Sequence, residues 1–163
     1  MYKSQNGQAI VEALIAITVL VVGFLGIVSL LNRSIGLYRV TTDNYTAAYL
    51  AAEGVELAKN IIDAGTMRSE SWGTVLPAGA YEMDYFTDLD ASRPEPYSGR
   101  MLFFDAVNGH YAYGVGTPTS FKRKIIIENV SADELRVNAV VDWTGRADSQ
   151  FSVNVEDHFF NWR

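Results

Sequence analysis

An uninterrupted stretch of 20 residues, from Ala13 to Asn32, carries no formal charge and is nearly all apolar. At about 1.5 Å of rise per residue, a helix of this length covers roughly 30 Å, the thickness of the hydrocarbon core of a bilayer. A secretory signal that is removed has a shorter apolar segment, more positive charge before it and a small-residue cleavage site after it. The stretch therefore predicts one membrane-spanning helix that stays attached to the chain.

Glu12 stands directly ahead of this apolar stretch. A carboxylate that leaves water without a partner loses free energy, and a simple membrane anchor has no use for one. Two opposite charges attract far more strongly in a low dielectric than in water. We therefore expect Glu12 to meet a positive group. The alternative is that its side chain only reaches back to the lipid headgroups.

The residues before Glu12 complete a recognisable pattern. Residues 1–7 form a short polar segment with one base, Lys3, and end in Gly7; cleavage after Gly7 would make Gln8 the first residue and Glu12 the fifth. This resembles the type IV prepilin family, in which a polar leader ends in glycine and a fifth-position glutamate precedes a long apolar helix. The resemblance implies that a prepilin peptidase cleaves after Gly7 and methylates the Gln8 amine, although Phe or Met is commoner than Gln there. It also implies that Glu12 pairs with the corresponding amine of a neighbouring subunit.

Two glycines, Gly23 and Gly26, interrupt the apolar stretch. Each weakens a helix by roughly 1 kcal/mol relative to alanine. By resemblance to pilins that lose helical order here in the filament, they mark an extensible part of the helix. Equally, small residues allow neighbouring helices to pack closely in a membrane.

Helical periodicity continues beyond the apolar stretch and predicts a helix from about Gln8 to about Asp63, with Ala64-Gly65 as its end. Two stripes of side chains suit two partners, a sheet and other helices; they are Leu31, Ile35, Tyr38, Thr42, Tyr45, Tyr49 and Ala52, and Ala48, Ala51, Val55, Ala58 and Ile62. The segment 47–56 is similar to the alanine-rich helix of pilus modification proteins and minor pseudopilins. Gly54 within it indicates a close approach of the sheet or of a neighbour.

The rest of the chain is predicted to be rich in β-structure. Loops are expected at 65–78 and 86–99, and the strands are expected at Tyr81–Tyr85, Phe103-Phe104, His110–Tyr113, Phe121–Val130, Glu134–Thr144 and Gln150–Phe159. Short connections between the last three strands predict an antiparallel meander.

We therefore expect an α+β, pilin-like fold, in which a long N-terminal α-helix, membrane-spanning in its first half, packs on a C-terminal antiparallel β-sheet. Its parts are a leader (1–7), the transmembrane and assembly half of the helix (8–32), the second half of the helix (33–64) and a β-rich head (65–163).

Charge and composition exclude several functions. The net charge is −6 and there is no cysteine, so nucleic-acid binding is not expected and disulfides and thiolate zinc sites are excluded. The one basic cluster, Lys122-Arg123-Lys124, lies in a predicted strand and is interpreted as a solvated strand face. We expect no cofactor and no enzymatic activity, because His110 and His158 lie in predicted strands without the context of a catalytic motif.

Four acidic residues in and around the predicted loop at 86–99 could supply oxygen ligands for Ca²⁺: Asp84, Asp88, Asp90 and Glu95. They lack the alternating acids and central glycine of an EF-hand loop, so solubility is the preferred explanation and no metal is expected.

Together these observations predict a structural subunit, a minor pilin or pseudopilin, of a type IV pilus-like (fimbrium) or type II secretion filament. Its expected partners are other pilin subunits, the prepilin peptidase and, before assembly, membrane lipid. The expected location is the cytoplasmic membrane as a single-pass protein, with the N-terminus in the cytoplasm and the head outside, and afterwards a pilus or periplasmic filament. The alternative is a single-pass anchored ectodomain that binds another envelope protein without polymerising.

Overall fold

A computed structural model describes residues 6–87 and 94–161. The protein is α+β, with a long N-terminal helix and an antiparallel sheet. Helix α1 covers Asn6–Met67. The strands are β1 (Gly79–Glu82), β2 (Glu95–Pro96), β3 (Phe103–Asp105), β4 (His110–Ala112), β5 (Thr117–Pro118), β6 (Phe121–Ser131), β7 (Glu134–Thr144) and β8 (Gln150–Phe160).

The chain divides into two compact units, Met1–Thr42 and Asp43–Arg163. In the first unit the described residues all belong to α1, and every large apolar side chain between Ile10 and Val40 is exposed. The mean hydropathy of its most apolar window is 2.9. The hydroxyl of Thr18 donates to the carbonyl of Leu14 (2.7 Å), so this polar group is satisfied within the helix. By length and composition, the helix can cross a membrane.

Within its described residues, the second unit contains two antiparallel sheets. The larger has the strand order β2-β1-β6-β7-β8, and the smaller has the order β4-β3-β5. Strand β7 pairs with β6 from Glu134 to Trp143, with an irregularity between Asn129 and Ser131 of β6, and with β8 along its whole length. The predicted antiparallel meander of the last three strands is therefore confirmed.

The core of this unit lies between the larger sheet and residues 47–62 of α1. Alternate residues of β7 point into it and are at most 3 % exposed: Leu135, Val137, Ala139, Val141 and Trp143. The helix contributes Ala51, Val55, Ala58 and Ile62 from one predicted stripe, whereas Tyr45 and Tyr49 of the other are exposed. The expectation that the sheet packs on the helix is confirmed.

Gly54 lies where the helix and the sheet come closest. A Cβ atom at this position would lie 3.1 Å from both the Cβ of Ala139 and the Cδ of Arg123. Those distances are tighter than ordinary van der Waals contact, so glycine lets the two layers approach. Of the two explanations for this residue, the structure supports the close approach of the sheet.

The predicted end of the helix at Ala64-Gly65 is wrong, because α1 continues to Met67. Gly65 lies inside the helix, where an added Cβ would come within 2.4 Å of a Val75 methyl group. Two residues after Met67, Ser69 has a φ of 61°, which turns the chain away from the helix. There the amide of Glu70 donates to the carbonyl of Gly65 (3.0 Å), a Schellman arrangement with serine in the position usually taken by glycine.

Two short strands, β2 and β5, were not predicted. Strands β2 and β5 each have two residues and each contain a proline, Pro96 or Pro118. Both are at the edge of their sheet, where a residue without an amide hydrogen is tolerated. The first predicted strand, Tyr81–Tyr85, is instead Gly79–Glu82, because Asp84 begins a turn in which its carboxylate accepts from the amide of Phe86 (3.0 Å).

The interpretation of Lys122-Arg123-Lys124 as a solvated strand face is wrong for its central residue, because Arg123 is completely buried. Its two Nη atoms donate to the carbonyls of Leu50 (3.1 Å) and Met83 (2.6 Å). Glu53 lies 3.1 Å from the same guanidinium. Arg123 therefore connects the helix, β6 and the segment that follows β1.

Replacing Arg123 should destabilise the second unit. Arg123→Ala leaves the Met83 carbonyl unpaired and opens a cavity, so we expect the free energy of unfolding to fall by about 2–4 kcal/mol. The measurement is urea unfolding of the full chain in detergent micelles, followed by tryptophan fluorescence. Lys122→Ala, on the opposite side of the same strand, is the control and should change the stability by less than about 0.5 kcal/mol. Equal stability of the two variants would contradict this role of Arg123.

Candidate functional site

The amino-terminal turns of α1 carry the predicted processing and assembly residues. Gly7, Gln8 and Glu12 all lie within the helix, and the spacing of four places Gln8 and Glu12 on one face. Val11, Ile15 and Ala16 line the same face. Residues 1–5 of the predicted leader lie outside the described part of the chain. The structure thus places Gln8 and Glu12 side by side on a largely apolar surface.

Glu12 is exposed, and none of the residues in 6–87 and 94–161 forms a hydrogen bond or ion pair with its side chain. The next charged residue along the helix is Arg33, which lies 21 positions further on, or about 32 Å at the helical rise. Neutralisation of Glu12 within the helix is therefore excluded over this stretch. Any pairing of this carboxylate must involve a group from outside the described residues.

Gly23 and Gly26 lie in continuous helix. A Cβ atom added at either position would meet no atom of the described residues within 4 Å. The chain itself therefore does not require glycine here. The two interpretations of these residues, a weak point in the helix and close packing of another helix, stay predictions.

A second group of polar side chains lies in the head, and sequence reasoning missed its central pair. Glu82 is only 2 % exposed, and its carboxylate accepts from the amides of Ser98 and Arg100, both at 2.9 Å. Arg100 also forms a salt bridge with Glu82 and lies over the ring of Tyr113, 4.7 Å from its centre. No sequence motif announces this pair, because its members are 18 residues apart.

The electrostatics of this group favour its ion pair. Burial raises the pKa of Glu82, but hydrogen bonds from the Arg100 side chain and from the amides of Arg100 and Ser98 outweigh it, so the pKa lies below its ordinary value. Burial raises the pKa of the Tyr113 hydroxyl. That hydroxyl donates to the carbonyl of Arg123 (3.3 Å). The group is neutralised and hydrogen-bonded internally, which indicates a role in holding the loop after β2.

The candidate Ca²⁺ ligands are used in other ways where they are described. Asp84 is buried and accepts from the amides of Tyr113 (2.9 Å) and Phe86 (3.0 Å), and Glu95 pairs with Arg100. Asp88 and Asp90 lie outside the described residues. Over 6–87 and 94–161, no three carboxylates or imidazoles are grouped so that they could hold a metal ion.

The two histidines have different surroundings. His110 stacks on Tyr85 with ring centres 5.3 Å apart. His158, on the outer face of the sheet, lies between two carboxylates, with Glu134 2.6 Å from Nδ1 and Glu156 3.3 Å from Nε2. Hydrogen bonding to Glu134, and then to Glu156, raises the pKa of His158. Protonated His158 therefore neutralises an otherwise acidic end of β8.

Comparison with models of known families, with curated proteins and with solved structures finds no match to this chain. The class of protein is therefore described from its fold and from the surroundings of Glu12. It is an α+β protein whose N-terminal helix is long and apolar enough to cross a membrane, with a glutamate ahead of the apolar stretch that has no partner within the described part of the chain.

The raised pKa of His158 predicts a pH-dependent contribution to stability. A raised folded-state pKa stabilises the fold below the unfolded value of about 6.5, and this contribution is lost as the pH rises through the folded value. The stability difference between the natural chain and His158→Gln should therefore be larger at mildly acidic than at alkaline pH. Urea unfolding at both pH values measures it. Glu134→Gln should reduce the same difference, and a pH-independent effect of His158→Gln would refute the prediction.

Proposed function

We propose that this chain is a structural, non-catalytic subunit, a minor pilin or pseudopilin, of a type IV pilus-like or type II secretion filament. It is cleaved after Gly7, its new Gln8 amine is methylated, and it assembles through α1. The observation that carries the proposal is the carboxylate of Glu12, which no group in residues 6–87 and 94–161 pairs with and which lies next to an exposed apolar helix surface. A single-pass anchor explains the apolar surface, but it accommodates the carboxylate only if that side chain reaches back to the headgroups, and it gives the carboxylate no role.

The exposed apolar side chains of α1 must be shielded from water. Apolar surface is driven out of water in proportion to its area, and two environments satisfy this helix in turn: lipid before assembly and neighbouring helices afterwards. The proposed location joins this requirement to the resemblance to prepilins, which supplies the orientation. The chain is held in the cytoplasmic membrane with its N-terminus in the cytoplasm and its head outside, and it then enters a pilus or a periplasmic filament.

Glu12 distinguishes the two environments. In lipid the lone carboxylate costs free energy, whereas in a bundle of cleaved subunits it can approach the amine on Gln8 of a neighbour. Either charge alone in a low dielectric loses several kcal/mol of solvation, so the pair favours the assembled state and fixes the axial register. A terminal amine at Gln8 exists only if the leader is removed, which makes cleavage a condition for assembly.

A second candidate function is an anchored ectodomain that binds another envelope protein without polymerising. The open edge of the larger sheet at β8 favours it, because a head of this kind can bind a partner whether or not the helices assemble. Under this alternative Glu12 is dispensable and the leader is retained. Both features can be tested directly.

Glu12→Ala should remain in the membrane but be lost from filaments by more than about tenfold, because the pair that drives incorporation is removed. The measurement is the ratio of the chain in sheared filaments to the chain in membranes, by immunoblot in a host that assembles the filament. Glu56→Ala, an exposed glutamate of the same helix, is the matched control and should incorporate normally. Incorporation of Glu12→Ala at the natural level would refute the assembly role.

Intact-mass measurement of the chain from the same membranes provides an independent check. The proposal expects loss of residues 1–7, with an added methyl group on Gln8. A stable chain that retains those residues would favour the anchored ectodomain instead.

A further inference from the structure

Three large side chains follow the end of the apolar stretch of α1: Arg33, Tyr38 and Arg39. All three are exposed, and Tyr38 is 74 % exposed. The nearest carboxylate along the helix is that of Asp43, four positions after Arg39. Neither this carboxylate nor any other in residues 6–87 and 94–161 forms an ion pair with Arg33 or Arg39. Within the described chain, the two arginines are therefore cations without a counter-ion.

These three side chains leave the helix in different directions. The helix is continuous here, and each residue turns it by about 100°. Viewed along the axis, Arg33 and Tyr38 are therefore about 140° apart, Tyr38 and Arg39 about 100°, and Arg39 and Arg33 about 120°. A protein that packs on one side of the helix would meet one of them and leave the others without a partner. An environment that surrounds the helix meets all three.

Their positions along the helix match the headgroup layer of a bilayer. The 21 positions from Glu12 to Arg33 cover about 32 Å, close to the thickness of the hydrocarbon core. Tyr38 and Arg39 follow about 8 and 9 Å further on. The headgroups add roughly 5–8 Å on each side of the core. With the uncharged stretch in the core, Arg33 lies at its boundary, and Tyr38 and Arg39 lie at the outer side of the headgroups, where tyrosine is enriched.

The chemistry of the side chains selects the kind of lipid. A guanidinium presents a planar set of N–H donors that matches two oxygens of a phosphate. A tyrosine has an apolar ring and a polar hydroxyl, which suits a boundary between lipid and water. In a zwitterionic headgroup the phosphate is offset by the cation of the same lipid. An anionic headgroup carries no such cation, so two arginines without counter-ions favour anionic phospholipid.

We propose that Arg33, Tyr38 and Arg39 bind the headgroups of anionic phospholipids and hold the unassembled chain at a fixed depth in the bilayer. Each guanidinium donates to phosphate oxygens, and the ring of Tyr38 lies among the headgroups. Release from the membrane must break these contacts, so they oppose the assembly that Glu12 favours. This inference rests on the membrane stage of the proposed function, which the anchored ectodomain shares, and not on the formation of a filament.

The probe is phosphatidylglycerol, in competition with an equal amount of phosphatidylcholine that has the same acyl chains. Both are added to the full chain in micelles of a nonionic detergent, and the lipids retained are counted by native mass spectrometry. We expect a preference for phosphatidylglycerol of about fivefold or more, the factor that one arginine at an anionic surface contributes. A chain with both Arg33→Gln and Arg39→Gln should retain the two lipids equally. Tyr38→Ser should lower the retention of both without changing the preference, because tyrosine carries no charge.

A matched control removes the same two charges from the head, in a chain with both Lys122→Gln and Arg146→Gln, and should keep the preference. Three results would overturn the proposal: equal retention of the two lipids by the natural chain, a preference that survives the loss of both arginines, or a preference lost in the control. The first would indicate an acidic protein as the partner of the arginines instead. Because lipid is counted on single chains and the Glu12 experiment measures incorporation into filaments, either test can fail while the other succeeds.

Discussion

Among residues 6–87 and 94–161 no group pairs with the carboxylate of Glu12, the next charge along the helix lies 21 positions further on, and the side chains beside it are apolar. A charge in that position is stable only where a cation comes to it or where water reaches it. The exposed apolar surface of α1 excludes water as the normal environment, because that surface is itself driven into lipid or onto other helices. A lone anchor meets both requirements only if the Glu12 side chain reaches back to the lipid headgroups. They are compatible in a bundle whose members each supply a terminal amine, and the proposed function depends on that compatibility.

The carboxyl-terminal part of α1 belongs to the core of the head. Residues 47–62 of α1 supply one layer of the core, and the sheet approaches it closely at Gly54 and connects to it through the buried Arg123. Without any disulfide, packing and these polar contacts must hold the helix on the sheet. The Glu82–Arg100 pair holds the loop after β2 in the same manner. The larger sheet ends at β8, beside a cavity that residues 6–87 and 94–161 leave unfilled.

Local patterns predicted the parts of the fold that local forces decide. The alternation of apolar and polar residues from Leu135 to Trp143 correctly predicted strand β7 and its buried face, since side chains of a strand point alternately to the two sides. Long-range contacts were not predictable in this way. Arg123 looked solvated between two lysines because its acceptors, Leu50 and Met83, are 73 and 40 residues away. Gly65 was interpreted as a helix end, but it lies inside the helix, where the absence of a Cβ leaves room for the side chain of Val75. Of the candidate site, the spacing of Gly7, Gln8 and Glu12 was readable because it is local, whereas Glu82 and Arg100 carry no motif.

The contact between the two proposed charges is the most direct test of the account. It requires filaments in which this chain carries ¹³C-labelled glutamate and its neighbours carry ¹⁵N, examined by dipolar recoupling in solid-state NMR. The account predicts that the Glu12 carboxyl carbon is ionised and couples to a terminal amine nitrogen of another subunit at about 4 Å, the distance of a salt bridge. A protonated Glu12, or an ionised one with no such coupling to a neighbouring subunit, would contradict it.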